Sequence, residues 1–206
     1  IVARNFILDE HPDVVVDIID SSNLERSLYL ATQLRELDCK VLFVLNMSDL
    51  ARNRGIKIDT EKLSELLDVS VVATVGNKNQ GMDQLLDTAV RLAESNTDVA
   101  QRRRVRYSKD IEAAIVELQR HLEAQCADTL PYNPRWTAIK LLEDDKVVKE
   151  RTAAAVGERG PDIFEQVVRL RERLMDRYAE EPEIVMTDER YGFIAGIIKE
   201  VQLLSA

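Results

Sequence analysis

Over residues 1–94 the hydrophobic pattern switches repeatedly between a period of two and a period near 3.6, and this alternation restricts the fold more than any other feature of the chain. Val14-Val15-Val16-Asp17-Ile18-Ile19-Asp20 is a β-branched run that reads as a buried strand. Asn23 then stands where a helix cap belongs, and Leu24, Leu28, Ala31, Leu34 and Leu37 form an apolar stripe at helical spacing. Residues 41–45 are the next strand. Asp59 is placed to cap a short helix ending at Leu67, with Leu63, Leu66 and Leu67 inward, and residues 69–75 are a third strand. Residues 82–93 form a third helix, with Leu85, Leu86, Ala89, Val90 and Ala93 expected on its inner face. Strands alternating with helices at this spacing predict βαβ units, a parallel sheet and helices on its faces. Three strands make a thin sheet, so further strands are expected before Ile1, where the chain opens without a methionine.

The second half has a different pattern. A polar linker is expected over residues 94–101, followed by the basic cluster Arg102, Arg103, Arg104 and Arg106, which reads as a solvated helix entry. Helical stretches are predicted at 110–122, 136–142 and 144–156, then from Pro161 to about Glu180, and finally over 188–204. Pro131, Pro134 and Pro182 read as breaks between them. Glu143-Asp144-Asp145 reads as a solvated helix end and Trp136 as a core anchor. The expected division is an α/β part over 1–95 and a small helical bundle over 96–206.

Composition removes several function classes. The chain of 206 residues carries a net charge of -9, which disfavours nucleic acid and anionic surfaces as partners. No apolar run approaches the roughly eighteen residues of a membrane span, and no signal peptide is recognisable. Cys39 and Cys126 are too few for a disulfide scaffold and lack metal-ligand spacing, and His11 and His121 have no Cys or His neighbours in sequence. A reducing compartment is expected, with no metal site and no catalytic residue among these positions.

Chemistry is expected at two loops. Asn46-Met47-Ser48-Asp49 directly follows the second strand, and ligands of open α/β sheets sit beyond the carboxyl ends of strands. A carboxylate at Asp49 can accept both the N1–H and the exocyclic amine of guanine, a donor pair that adenine lacks. Asn46 can hold the loop and Met47 can lie on the purine face. A bare Asn-x-x-Asp is more often a polar turn; its place after a buried strand gives it weight. The second loop, Thr74-Val75-Gly76-Asn77-Lys78, can turn the N–H groups of Gly76 and Asn77 towards the guanine carbonyl, with Lys78 over the base edge or in water. Asp20-Ser21-Ser22-Asn23 reads as capping and loop closure. A G-x-x-x-x-G-K-[ST] phosphate loop is absent from the 206 residues, so this stretch by itself is expected not to hydrolyse GTP.

Several of these stretches resemble FeoB-type ferrous iron transport proteins. The likeness is carried by Asp20-Ser21-Ser22-Asn23-Leu24-Glu25-Arg26-Ser27-Leu28-Tyr29-Leu30, by Val44-Leu45-Asn46-Met47-Ser48-Asp49 with Met where other GTPases have Lys, by Gly55-Ile56-Lys57-Ile58-Asp59, by Gly81-Met82, and by Glu189-Arg190-Tyr191-Gly192-Phe193-Ile194. The resemblance implies the C-terminal part of a Ras-like P-loop GTPase fold, lacking its phosphate loop and switches, followed by an all-helical spacer domain. It implies GTP/GDP binding through Asn46, Met47, Asp49, Val75, Gly76 and Asn77, with Mg2+ and K+ held by residues absent here. It further implies a transmembrane permease domain in the same polypeptide, a place at the cytoplasmic face of a prokaryotic membrane, and coupling of hydrolysis to Fe2+ uptake in the intact protein. A homo-oligomer is left open. Gly76 departs from the Ser or Ala of many GTPases. Two rival readings stand beside this one: an α/β plus helical adaptor that binds no nucleotide, and a different α/β enzyme whose catalytic residues lie upstream.

Overall fold

The computed structural model describes residues 2–37, 39–96, 105–126 and 128–204. Two compact units emerge, Ile1–Val105 with Tyr191–Ala206, and Arg106–Arg190.

The first unit begins with helix α1 (Val2–Glu10) and strand β1 (Val15–Asp20), then α2 (Leu24–Arg35), β2 (Val41–Asn46), α3 (Ser48–Asn53), β3 (Ile56–Ile58), α4 (Thr60–Leu67), β4 (Ser70–Ala73) and α5 (Met82–Glu94). Strands β1, β2 and β4 form a parallel sheet in that order, with Val15 opposite Val41, Asp20 opposite Asn46 and Leu45 opposite Ala73. Both crossovers step in the same direction, so right-handed connections put α2 and α4 on one face. Helix α5, leaving β4, covers the other: its Leu85, Ala89 and Leu92 pack on Leu42, Val44 and Val72. Alternation along each strand sends Ile19, Phe43 and Leu45 to the α2 side, where all are buried.

The α2 stripe behaves as its spacing predicts, with Leu24, Leu28, Ala31, Leu34 and Leu37 all buried. Truncating a fully buried Leu28 to Ala would cost roughly 2–5 kcal/mol. Asp59 caps α4 by accepting the Lys62 N–H at 2.9 Å, and Leu63 and Leu67 are fully buried while Leu66 is half-buried. Asn23 does not cap α2 with its side chain. Asp20 closes that turn, its Oδ1 accepting both the Ser22 N–H and the Ser22 hydroxyl at 2.8 Å. The expected inner face of α5 is also corrected. Leu86 and Val90 are 61% and 55% exposed, because the packed row runs through Leu85, Thr88, Ala89 and Leu92 instead. Val16 and Ile18 of β1 are likewise exposed, and among the described residues no strand pairs with the outer edge of β1.

Two strands were not legible in the pattern. β3 and β5 (Gln202–Leu204) form an antiparallel ribbon, with Ile58 opposite Gln202, and the Asp59 N–H donates to the Val201 carbonyl at 2.9 Å. This pairing draws residues 191–206 into the α/β unit, although their helical composition groups them with the second half of the sequence.

The second unit contains α6 (Lys109–Cys126), α7 (Pro134–Leu142), α8 (Lys146–Val156), α9 (Gly160–Tyr178) and the start of α10 (Pro182–Val201), whose last residues belong to the first unit. Pro134 and Pro182 stand at helix starts rather than acting only as breaks, since a first-turn residue has no intrahelical N–H bond to lose. Asn133 caps α7 by accepting the Arg135 and Trp136 N–H groups, and Asp145 caps α8 through the Val148 N–H. Trp136 is a buried core anchor, as are Ile163, Val167, Leu170 and Leu174 of α9. Glu143 is not a solvated helix end. Its side chain is largely buried and pairs with Lys140 at 2.7 Å and with Arg190, itself 1% exposed and stacked over Tyr107. Arg102, Arg103 and Arg104, and the expected linker from residue 97 onward, lie outside the described residues.

Candidate functional site at the carboxyl ends of the strands

The register that aligns Asp20 with Asn46 and Leu45 with Ala73 brings three loop starts to one end of the sheet. The backbone stitches them together. The Ser21 N–H donates to the Asn46 carbonyl at 3.1 Å, and the Thr74 N–H to the Leu45 carbonyl at 2.8 Å. Ser48 extends the link, its hydroxyl donating to the Thr74 carbonyl at 3.2 Å.

Side chains complete the arrangement. Asn46 Oδ1 accepts the Gly76 N–H at 3.1 Å and the Thr74 hydroxyl at 3.4 Å, so one amide oxygen spans from the end of β2 to the loop after β4. Met47 takes the left-handed conformation at φ 57°, which turns the chain sharply into α3 and leaves its side chain exposed. Asp49 therefore stands in the first turn of α3, where its charge is favoured by the exposed N–H groups of that turn. Its Oδ1 accepts the Leu50 N–H at 2.9 Å, and its Oδ2 meets the Lys78 ammonium at 2.6 Å. That bond to Lys78 is the largest influence holding the Asp49 carboxyl below the usual carboxylate range.

The second loop is a compact turn. Val75 and Gln80 exchange N–H···O bonds at 3.1 and 3.3 Å around a 3-10 turn at Gly76–Lys78. Asn79 leaves it at φ 55° and Gly81 at φ 79°. Gly81 is required there: a Cβ would lie 2.4 Å from the Ala73 carbonyl oxygen. Gly76 is under no such demand, since its Cβ would meet Asn46 Oδ1 at an ordinary 3.4 Å. Val75 is buried beneath the loop, whereas Gly76, Asn77 and Lys78 are exposed.

Asn46, Met47, Asp49, Val75, Gly76 and Asn77 thus lie on two adjoining loops. The direct bond between Asp49 and Lys78 is the feature that sequence spacing did not reveal, because it joins residues on different loops. His11 and His121 stand elsewhere, in separate units. His121 Nε2 lies 2.9 Å from Asp162 Oδ2. Among the described residues no group of three or more His, Cys, Asp or Glu could hold a metal ion.

A parallel sheet with flanking helices, loops after two neighbouring strands that are bonded to each other at its carboxyl end, and a helical unit define an open α/β fold, the class that takes its ligands at that end, joined to a helical domain. Residues 1–89 match the family described as Ferrous iron transport protein B, and residues 107–202 match the FeoB cytosolic helical domain. The chain belongs to the FeoB family. It is 37% identical over 206 residues to the Fe(2+) transport protein A/Fe(2+) transporter FeoB fusion protein of Porphyromonas gingivalis, and 29% identical over 196 residues to the Fe(2+) transporter FeoB of Escherichia coli. These alignments cover 96% and 95% of this chain but 24% and 23% of those proteins, so it spans about a quarter of their length. Two solved S. thermophilus structures are similar throughout. A GDP-bound variant of the FeoB G-domain superposes with a TM-score of 0.84 at 31% identity, covering 98% of this chain and 74% of that one. The mGMPPNP-bound NFeoB gives 0.80 at 30% identity, covering 100% and 72%. No described helix is long and apolar enough to cross a membrane.

Proposed function

We propose that the loops after β2 and β4 form the base-recognition half of a guanine-nucleotide site. The carrying observation is that Asp49, on the first loop, stands within hydrogen-bonding reach of the second loop, while Asn46 Oδ1 holds that second loop by the Gly76 N–H. Asp49 would accept the N1–H and exocyclic amine of guanine. Val75, Gly76 and Asn77 would form the opposite wall, with a backbone N–H of Gly76 or Asn77 meeting the base carbonyl, and Met47 would cover one face of the ring. The GDP and mGMPPNP bound by the S. thermophilus proteins support this reading.

Phosphate, Mg2+ and K+ would be held by residues outside this sequence. The donor set here does not fit them: no phosphate loop occurs in the 206 residues, so no hydrolytic step is assigned to this chain. The outer edge of β1, unpaired among the described residues and beside exposed Val16 and Ile18, is where an additional strand would fit. In the intact protein the nucleotide cycle would regulate ferrous iron uptake through a linked permease domain, with this region on the cytosolic side. The match to a domain described as cytosolic and helical, and the transporters named among the relatives, support that placement.

The test is a fluorescence titration with labelled GDP, competed by GDP or by ADP. Displacement by GDP and not by ADP is the expected result. Equal displacement by both would overturn guanine recognition by Asp49, and no binding to a chain extended to include a phosphate loop would instead favour an α/β plus helical adaptor.

A further inference from the structure

Asp49 is already occupied. Its Oδ1 accepts the Leu50 N–H at 2.9 Å, and the Lys78 ammonium lies against Oδ2 at 2.6 Å. A carboxylate has lone pairs to spare, but charge matters more than count. The edge of guanine that pairs with a carboxylate presents two N–H groups, both carrying partial positive charge. An ammonium bound to Oδ2 of the same carboxylate repels that edge. The base and Lys78 therefore compete for one group.

We infer that Lys78 is an internal cap on the base-reading carboxylate, which guanine displaces on binding, so that Lys78 lowers affinity for the base instead of contributing to it. This inference rests on the guanine reading of Asp49. The surrounding geometry suits a cap that swings. The backbone of the Lys78 turn is held at both ends by the Val75–Gln80 bonds and at Gly76 by Asn46. The Lys78 side chain, by contrast, is 54% exposed and Asp49 28%. Release needs rotation about the side-chain bonds of Lys78 and no movement of the loop, a motion that exposed side chains complete in picoseconds to nanoseconds. Exposed ion pairs are weak, so the cap sets a modest threshold and does not close the site.

The distinguishing property is the sign of the effect. If Lys78 contacted the bound base, Lys78→Met would weaken binding; if it caps Asp49, the same change tightens binding. Two measurements on the full chain test this. The first follows the Asp49 carboxyl carbon by NMR through an acid titration, without nucleotide. The wild type should titrate below the usual carboxylate range, and K78M should move it back up. The second is competition of labelled GDP by guanosine, chosen because it has no phosphate for Lys78 to attract. K78M should bind guanosine roughly two- to fivefold more tightly at low salt, and the gap should narrow as salt screens the pair in the wild type. Identical Asp49 titrations in the two proteins would show that no pair forms and would overturn the inference. A shifted titration together with equal or weaker guanosine binding by K78M would also overturn it. If neither protein binds guanosine or GDP, even when extended to include a phosphate loop, while the Asp49 titration still responds to Lys78, the pair stands as a surface ion pair and both the guanine reading and the cap fail.

Discussion

Asn46 Oδ1 accepts the Gly76 N–H at 3.1 Å, so the residue that ends β2 positions the loop that follows β4. Replacing Asn46 with Ala removes the acceptor from both Gly76 and Thr74. An ordinary net hydrogen bond contributes about 0.5–1.5 kcal/mol, so the loss of fold stability is expected to be small. The local effect should be larger: amide exchange at Gly76 should accelerate, and GDP binding should weaken because the second loop of the proposed base site is no longer held in place.

Asp49→Asn tests base recognition directly. The amide replaces one acceptor oxygen with a donor, so guanine loses a partner while xanthine, with a carbonyl at the same ring position, gains one. GDP affinity should fall on the order of ten- to a hundredfold, and XDP should overtake it in the same competition titration. Unchanged GDP affinity would remove Asp49 from the site.

The two glycines of the second loop should behave differently. Gly81→Ala puts a Cβ 2.4 Å from the Ala73 carbonyl oxygen at a φ of 79°, and should cost about 1–3 kcal/mol in chemical denaturation. Gly76→Ala meets Asn46 Oδ1 at 3.4 Å with no positive φ, and should shift stability by no more than about 0.5 kcal/mol.

Asp17 gives a pH signature. Its Oδ2 is buried without a hydrogen-bond partner among the described residues, and burial pushes its carboxyl up to about 6 from 3.8. A raised folded-state value means that folding favours the protonated acid. The stabilising contribution is therefore full below 3.8 and is lost as pH rises through 6. Asp17→Asn should accordingly stabilise the protein at pH 7 by on the order of 1–2 kcal/mol, allowing for partial solvent screening. Below about pH 4 the two proteins should melt together. A constant difference across the pH range would exclude ionisation of Asp17 as its cause.

In the helical unit, Arg190 pairs with Glu143 and stacks over Tyr107 with its guanidinium carbon 5.5 Å from the ring centroid. Arg190→Ala leaves a buried carboxylate short of a partner and should cost roughly 3–5 kcal/mol. Arg190→Met combined with Glu143→Leu and Lys140→Met should recover much of that loss by equilibrium denaturation, since all three members of the buried cluster are then removed together.

Apolar periodicity alone marked the α2 stripe, the three parallel strands and the inward row of α9, because side chains at those spacings have only one way to leave water. The position of Asn46–Asp49 after β2 was legible for the same reason: a polar tetrapeptide following a five-residue apolar run must stand at a strand end. Local chemistry also marked the Asp59 cap, where the carboxylate and its N–H partner are three residues apart.

What could not be read locally depended on partners distant in the chain. Leu86 and Val90 are apolar like Leu85, Ala89 and Leu92, and only the choice of the row that packs on β2 and β4 decided that they face outward. Ile56–Ile58 is too short to show a period, and it becomes a strand because β5 supplies its hydrogen bonds from the far end of the chain. Glu143 looks like a solvated carboxylate until Arg190 arrives on α10. The Asp49–Lys78 pair spans two loops in the same way. Sequence determined which stretches become strands and helices and where the strand ends fall, since hydrophobic burial acts through composition and spacing. Tertiary structure decided which charged groups meet, since ion pairs and strand partners are set by the three-dimensional path of the chain.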